Sequence, residues 1–310
     1  MVMPETVLHT RQKTQFPKFN RFELKDKALV DSYIKRFNPE SCEYNFSNLF
    51  AWQEAYDLCF TLYQGRLLIY DGISQCAFMP LGDDFFPEEL VVLALQLNSL
   101  GIESSFGLVT PDYLKKYPDI EAYFTVKQER DYAEYIYEVE SLCDLTGQKL
   151  HKKKNLISQF KRSYPDYQVH GIKGELKTRC YAFAKELLNS HEKASKDLIE
   201  ELSAIETSFL YFDELGLEGL AVTLGEKLVA FSVFSRLNAV TYDIQFEKFD
   251  AGFKGAAQVI NHETAKYLRD VCQYVNREQD LGIRGLRQAK LSYEPLRLFT
   301  PSNLVLNPSN

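Results

Sequence analysis

The chain has 310 residues, of which 45% are hydrophobic and 14% aromatic. This composition supplies enough apolar side chains for packed cores and excludes a disordered chain. At about 100–200 residues per domain, the length predicts two domains. The 43 acidic residues outnumber the 36 basic ones, for a formal charge of −7. Because proteins that follow a DNA backbone usually carry a basic excess, we expect no DNA partner.

Hydropathy and cysteine usage predict a cytoplasmic protein without a transmembrane segment. No apolar run approaches the roughly 18–20 residues that a membrane-spanning helix needs, and the N-terminus lacks the apolar core of a signal peptide. The cysteines are widely scattered and form no CxxC pair, so we expect reduced thiols. No His or Cys cluster has the spacing of metal ligands, so no metal site is predicted. The cysteines are Cys42, Cys59, Cys76, Cys143, Cys180 and Cys272.

The first half of the chain alternates between helix and strand patterns. Alternating apolar residues predict strands at 19–24, 58–63, 66–70, 76–80, 104–109, 124–128 and 135–139. Apolar residues at helical spacing predict helices at 26–37, 44–56 and 87–99, and Pro111 begins a further short helix. This order predicts helices packed on a sheet.

The second half predicts a helix at 145–164, a strand at 167–172, and helices at 174–191 and 196–210. An antiparallel run of strands follows at 217–224, 228–235 and 240–246. The remaining predictions are helices at 256–269 and 283–291 and strands at 272–276 and 296–299. Both halves therefore predict an α/β (α+β) fold.

A first candidate site lies where the strand near residue 242 leads into the helix near residue 256. Asp243, Gln245 and Glu247 alternate with apolar residues, so they share one face of that strand. Backbone N–H groups at a helix N-terminus bind phosphates, and small residues let a ligand approach closely. The loop therefore predicts a phosphate site, and an ordinary strand-to-helix turn is the alternative. Its candidate residues are Lys254, Gly255, Ala256 and Ala257.

The loop is similar to the one that holds the coenzyme A pyrophosphate in N-acetyltransferase-like folds. That pattern has Gln or Arg, two residues, Gly, one residue, then Gly or Ala. Gly255 and Ala257 match it, but Gly252 stands where Gln or Arg is expected.

A second candidate is the segment 274–295, which is dense in charge and glycine directly after a strand. Ligands of α/β folds bind at strand C-terminal ends. Arg287, Lys290 and Tyr293 lie three residues apart, so one helix face presents them together. The alternative is a solvated helix with internal ion pairs.

A third candidate is the basic segment 149–162, where a narrow apolar stripe leaves the remaining helix surface positively charged. Such a patch suits phosphate, an acidic lipid surface or tRNA. The alternative is again a solvated helix. The patch residues are His151, Lys152, Lys153, Lys154 and Asn155.

Several of these segments together resemble a known family. Residues 147–155, 255–261, 274–278, 285–287 and 290–293 look like bacterial proteins akin to the C-terminal domain of phosphatidylglycerol lysyltransferase, and 44–52 match in the first half. The resemblance implies two tandem N-acetyltransferase-like (GNAT) domains, at 16–140 and 141–310. Each would have a mixed, mostly antiparallel sheet flanked by helices, and the second would carry the site. It also implies relatives that move an aminoacyl group from tRNA onto a lipid or peptidoglycan precursor.

The predicted function is therefore an acyl- or aminoacyltransferase, with acyl-CoA or aminoacyl-tRNA as donor and a small-molecule or lipid/peptidoglycan-type amine or hydroxyl as acceptor. Such chemistry needs a base, an acid and a group that stabilises the oxyanion. We expect Glu247 to act as base, Asn276 to position the acceptor and Tyr293 to act as acid. Arg287 and Lys290 would hold phosphate or the carbonyl oxygen. The alternative is a non-catalytic protein of the same fold that binds a ligand or a membrane surface.

Overall fold

A computed structural model describes residues 16–103, 105–189 and 195–308. Its strands in chain order are β1 (Leu58–Tyr63), β2 (Arg66–Asp71), β3 (Cys76–Phe78), β4 (Ser105–Val109), β5 (Phe124–Gln128), β6 (Glu134–Glu138), β7 (Gln168–Gly171), β8 (Glu218–Leu224), β9 (Lys227–Arg236), β10 (Thr241–Phe249), β11 (Tyr274–Asn276), β12 (Arg297–Phe299) and β13 (Ser302–Leu306).

The helices in chain order are α1 (Lys27–Phe37), α2 (Phe46–Tyr56), α3 (Pro87–Ser99), α4 (Pro111–Lys116), α5 (Val139–Asp144), α6 (His151–Ser163), α7 (Glu175–Asn189), α8 (Lys196–Leu210), α9 (Ala256–Leu268) and α10 (Arg284–Leu291). None of the helices within these described ranges is long and apolar enough to cross a bilayer.

The first sheet has the strand order β1-β2-β3-β4-β13-β5. Its β1–β2 hairpin turns at Gln64 and Gly65, whose φ angles of 49° and 76° suit the two-residue turns that match strand twist. The strand β13 was not predicted from sequence, and it pairs antiparallel with both β4 and β5. Residues near the end of the second half therefore connect the edge strand β5 to the rest of the first sheet.

The second sheet has the order β12-β6-β11-β10-β9-β8-β7. Here β6, from the first half, pairs with both β11 and β12. Each sheet thus includes a strand from the other side of residue 140. The proposed division into 16–140 and 141–310 stays a prediction, but the sheets are interleaved. The predicted fold class, with two mostly antiparallel sheets flanked by helices, is confirmed.

Strand β10 diverges from its neighbour β11 partway along its length. The two run parallel and pair only from Thr241 to Asp243 and from Tyr274 to Asn276. Strand β10 then continues to Phe249 beside β9, with a bulge between Ile244 and Phe246. The gap between residues 244–249 and 277–279 is called the fork below. Because its walls are backbones no longer bonded to each other, side chains can fill it.

The two halves of the chain share one hydrophobic core. Phe22, Phe46 and Phe60 of the first half belong to the same buried cluster as Phe209 and Phe231 of the second. Helix α2 supplies much of this contact. Because burial of apolar surface is the main favourable term in folding, this core holds α2 against the second sheet.

The strand predicted at 19–24 is wrong. Only Asn20 forms a bridge, with Phe60, and a 3-10 helix begins at Leu24. The N–H of Phe22 instead donates to the Gln53 side chain at 3.1 Å. The apolar alternation arises because Phe22 enters the core from a loop. The Gln53 side chain accepts the hydrogen bond that a neighbouring strand would otherwise accept from the Phe22 N–H.

Replacing Leu304 with Ala should lower the free energy of unfolding by about 3 kcal/mol, because Leu304 is fully buried in β13 and its loss leaves a cavity. Val305→Ala on the opposite, half-buried face of the same strand should cost only about 1 kcal/mol. Urea unfolding measures both, and equal losses would contradict the insertion of β13 into the sheet.

Candidate functional site

The fork is filled by an ion pair between Glu247 of β10 and Arg277, which follows β11. The Arg277 Nε donates to Glu247 Oε2 at 3.0 Å, and Nη2 donates to the same oxygen. The two side chains are only 17% and 14% exposed. Although burial alone would lower it, Glu247 raises the pKa of Arg277. The ion pair therefore occupies the space between the two diverging backbones.

Two further side chains gather at this ion pair. The Arg277 guanidinium lies 5.1 Å from the ring centre of Tyr293, and Lys153 Nζ of α6 lies 4.2 Å from it. Burial raises the pKa of the Tyr293 hydroxyl to about 12, and Arg277 opposes that shift. Burial lowers the pKa of Lys153, and Arg277 lowers it further. With two cations and one carboxylate, these four residues form a positively charged group, called the fork cluster below.

The fork also contains polar atoms without a partner in the protein. Among the described residues, buried Arg277 Nη1 and Asn261 Oδ1 have none. The Asn261 Nδ2 donates to Glu247 Oε1 at 3.4 Å. An unpaired buried donor or acceptor costs about 1–3 kcal/mol. A ligand that accepts from Arg277 and donates to Asn261 would remove this cost.

The predicted phosphate loop is built differently from a free anion site. Gly255 has φ of 96°, and a Cβ there would lie 2.6 Å from the Leu156 carbonyl oxygen. The glycine therefore lets α6 approach the start of α9 closely. The N–H groups of Gly252, Phe253 and Ala256 all donate to acceptors within the loop. Lys254 is exposed, whereas Ala256 is buried and Ala257 half-buried.

The other predicted binding residues are engaged by protein groups. Arg287 donates to Asp280 and Asp131, each at 2.6 Å from Nη2. The Lys290 Nζ donates to the Arg277 carbonyl at 2.6 Å and to the Gln279 carbonyl. These two side chains hold the segment after β11 in place, and their predicted contact with phosphate or a carbonyl oxygen stays a prediction.

Asn276, predicted to position the acceptor, is fully buried. Its Nδ2 donates to Glu134, and its Oδ1 accepts from the Glu278 N–H at 2.9 Å. The proposed contact with an acceptor stays a prediction. In the basic patch, only Lys153 reaches the fork cluster; His151, Lys152, Lys154 and Asn155 are exposed on α6.

The polar face of β10 meets the start of α2 in the interface between the halves. Asn45 Nδ2 donates to Ser235 Oγ at 2.9 Å and to Asp243 Oδ2 at 3.2 Å. Asn48 Nδ2 donates to the same Asp243 oxygen at 2.9 Å and to Glu278 at 3.0 Å. The polar alternation seen in the sequence of β10 is thus explained by polar partners from the first half.

This interface is rich in acidic groups. Burial is the largest cause that raises the pKa values of Asp243, Glu278 and Glu134, and neighbouring carboxylates raise those of Asp243 and Glu278 further. Burial likewise raises the pKa of Glu43 to about 7. Such acids hold their protons more tightly than exposed ones, unless a cation balances their charge.

The family model for "Phosphatidylglycerol lysyltransferase, C-terminal" matches residues 34–299. The chain belongs to this family. No curated protein sequence matches the chain significantly. The match spans both sheets, so it includes the segments from both halves that form the fork and the interface.

Solved structures share this fold. A conserved protein of unknown function from Bacteroides thetaiotaomicron is 28% identical, with a TM-score of 0.86 over 93% of this chain and 99% of that one. A C-terminal domain from Agrobacterium fabrum, of a protein provisionally named lysylphosphatidylglycerol synthetase, is 14% identical, with a TM-score of 0.65 over 92% of each chain. FemX is 9% identical, with a TM-score of 0.56 over 94% of this chain and 98% of that one.

Sequence reasoning missed Arg277 and Asn261 as residues of the fork. Arg277 belongs to the motif 274–278 that carries the family resemblance. The sequence therefore singled out its position but did not indicate its role. Asn261 lies one helical turn after Ala257 on α9, and a polar residue at helical spacing behind the glycine loop was the available signal.

Replacing Gly255 with Ala should destabilise the protein by at least about 2 kcal/mol, because a Cβ would collide with the Leu156 carbonyl and the positive φ would be strained. Gly225→Ala is the control, since it has φ of 55° and open space around its Cα; it should cost about 1 kcal/mol. Urea unfolding of both variants measures the difference. A Gly255 variant as stable as the Gly225 variant would contradict a packing role.

Replacing Asp280 with Asn should cost about 3 kcal/mol, because the fully buried carboxylate bonds Arg287, Arg130 and Tyr135 at once. Asp131→Asn removes an exposed partner of the same Arg287 and should cost less than about 1 kcal/mol. Thermal unfolding of the two variants gives the comparison, and similar melting temperatures would refute the anchoring role of Asp280.

Proposed function

We propose that this protein is an aminoacyltransferase that accepts an aminoacyl group from aminoacyl-tRNA and passes it to an amine or hydroxyl. The observation that carries the proposal is the reach of Lys153 from the basic helix α6 into the fork cluster. Lys153 connects the exposed basic surface of α6 to the buried, positively charged fork cluster. A tRNA donor needs both, because its backbone is polyanionic and its aminoacyl end must reach the reacting groups.

The charges of α6 suit the tRNA backbone. His151, Lys152 and Lys154 are exposed near the start of the helix, where side chains can contact phosphates without leaving water. The protein as a whole is acidic, so a local basic surface would direct the donor to one place. The 3′ end of the donor would then reach the edge of the fork cluster at Lys153, which is half-buried.

The fork cluster supports acyl transfer by stabilising charge. As the acceptor nitrogen or oxygen bonds to the ester carbonyl carbon, negative charge develops on the carbonyl oxygen. The unpartnered Arg277 Nη1 is the donor for that oxygen. The carbon–oxygen bond to the ribose then breaks, and the ribose oxygen takes up one proton. Tyr293, protonated at neutral pH, would deliver a proton to the ribose oxygen as acid.

Glu247 takes a different role here from the base predicted from sequence. Arg277 donates to one oxygen of the Glu247 carboxylate and Asn261 to the other, so neither oxygen is free to take a proton from an acceptor. Glu247 would instead hold Arg277 in the fork, so that Nη1 points toward the reacting carbonyl group. It is then a positioning residue; the acceptor releases its proton to water, and Tyr293 regains from water the proton that it gives to the ribose oxygen.

Coenzyme A is the less favoured donor. Its pyrophosphate would need free N–H groups at the start of α9, but those of Gly252, Phe253 and Ala256 are bonded within the loop. Asp250 also places a carboxylate there, paired with Lys227 at 3.2 Å. A negative group beside the loop disfavours a second negative group.

A non-catalytic binding protein is the second candidate, and the Glu247–Arg277 pair is the observation that favours it. In the described part of the fork, that carboxylate is neutralised by the ion pair. Such a protein would bind tRNA with the same salt dependence as the transferase but would transfer no aminoacyl group. A measurement of aminoacyl transfer therefore distinguishes the two functions.

Tyr293→Phe should slow transfer from aminoacyl-tRNA about 100-fold, because the acid for the leaving ribose is lost. Its dissociation constant for aminoacyl-tRNA should stay unchanged. Single-turnover loss of radiolabelled aminoacyl groups from tRNA, with amine- and hydroxyl-bearing lipids as acceptors, measures the rate. Tyr267→Phe, whose hydroxyl contacts Glu218 outside the fork, is the matched control.

Binding is tested by the double variant Lys152→Gln/Lys154→Gln, which should lower the salt dependence of tRNA affinity by about 0.7–0.9 per lysine. Lys115→Gln/Lys127→Gln removes two exposed lysines of the first half and should leave it unchanged. Equal effects of both pairs would argue against α6 as the tRNA surface. Stabilisation by acyl-CoA but not by tRNA would refute the proposed donor.

A further inference from the structure

We propose that Cys42, Asp243 and Glu278 form a binding site for one divalent transition-metal ion, with zinc as the expected occupant. The site lies in the interface between the halves of the chain, where Asn48 of α2 donates to both Asp243 and Glu278. It is independent of the proposed transfer reaction.

The three side chains converge although they are distant in sequence. The Cys42 sulfur and one carboxylate oxygen each of Asp243 and Glu278 all lie within 4.8 Å of one another. Cys42 comes from the 3-10 helix before α2, Asp243 from β10 and Glu278 from the segment after β11. A tetrahedral zinc ion with bonds of about 2.0–2.3 Å holds its ligands roughly 3.5 Å apart. Small side-chain rotations would bring the three groups to that separation.

A second observation points to a missing partner at the same place. Asp243 is 0% exposed, and its Oδ1 has no hydrogen-bond partner among the described residues. Only its Oδ2 is bonded, by the neutral amides of Asn45 and Asn48. A buried carboxylate oxygen without a donor is costly, and a cation held between Asp243 and its two neighbours would remove that cost.

The backbone at Glu278 is held in a strained conformation that directs its side chain into this cluster. Glu278 has φ of 54°, a region that residues other than glycine rarely adopt. The Glu278 N–H donates to Asn276 Oδ1 at 2.9 Å, and the Glu278 carbonyl accepts from the Tyr135 N–H. Strain of this kind persists where the surrounding structure fixes it, and it concentrates at ligand sites.

The donor set favours zinc over magnesium or calcium. A thiolate is a soft ligand that zinc accepts together with carboxylate oxygens, whereas magnesium and calcium prefer oxygen ligands alone. Lys290, whose charge acts on Glu278, directs its Nζ to two backbone carbonyls instead. Lys290 therefore forms no hydrogen bond with the three candidate ligands, and a divalent ion would place positive charge directly between them. Three protein ligands leave one position for water.

The test uses the purified full-length chain, stripped of metal by a chelator and then titrated with Zn²⁺ or Co²⁺. We expect one metal ion per chain by elemental analysis and a higher melting temperature with Zn²⁺. Co²⁺ should give the near-ultraviolet charge-transfer band of a cobalt–thiolate bond. Cys42→Ser should lose that band, and Asp243→Asn should weaken Zn²⁺ binding at least about tenfold.

Cys180→Ser is the matched control, because Cys180 is equally buried but lies in the hydrophobic core shared by the halves; it should keep the band and the affinity. Crystals of the wild-type protein with zinc, measured at the zinc absorption edge, keep the proposal testable if the variants do not fold. An anomalous peak between the three side chains supports it. A peak elsewhere, absence of stoichiometric binding, or a cobalt–thiolate band retained by Cys42→Ser would overturn it.

Discussion

The divergence of β10 from β11 after Asp243 is the constraint on which the rest of the structure depends. The two strands pair at three positions. Beyond these positions, the two backbones are not paired with each other. The opening must then be closed by side chains, and most polar groups in a buried opening need a hydrogen-bond partner. The Glu247–Arg277 ion pair meets this need in the fork. Asn45 and Asn48 meet it at the polar face of β10.

This constraint also explains why both halves are needed for one site. The polar face of β10 would be exposed on the second sheet alone, and its partners belong to α2 and the turn before it. The apolar contacts of α2 with the second sheet fix the position of those partners. Hydrophobic packing therefore sets the geometry, and the hydrogen bonds make that geometry specific.

Much of the fold was predictable from sequence because its signals are local. The predicted bounds of the antiparallel run β8-β9-β10 and of the helices α2, α3, α8 and α9 agree with the structure within a few residues. The strand β13 was missed because it is only five residues long and because its pairing with β4 and β5 is a tertiary event that the local sequence does not show. The error at 19–24 arose because Phe22 alternates with polar residues without having a strand partner on both sides.

The site was predictable only where sequence spacing carries information. Glu247 and Tyr293 were predicted as site residues, and the structure places both beside Arg277. The Asp131 partner of Arg287 could not be predicted, because Asp131 lies in the other half of the chain. The same limit applies to Cys42, Asp243 and Glu278, whose separation in sequence gives no metal-ligand spacing. Contacts between distant segments arise only from the fold.

The interleaving of the sheets has a consequence for how the chain acquires its structure during synthesis. Strand β13 fills the place between β4 and β5, yet the ribosome makes it long after both. Until then, the nascent first half exposes two unpaired strand edges, which can associate with other chains. We therefore expect the two halves to complete their folding together after β13 is made. Because the contacts of β13 join segments far apart in sequence, this folding step should be slow.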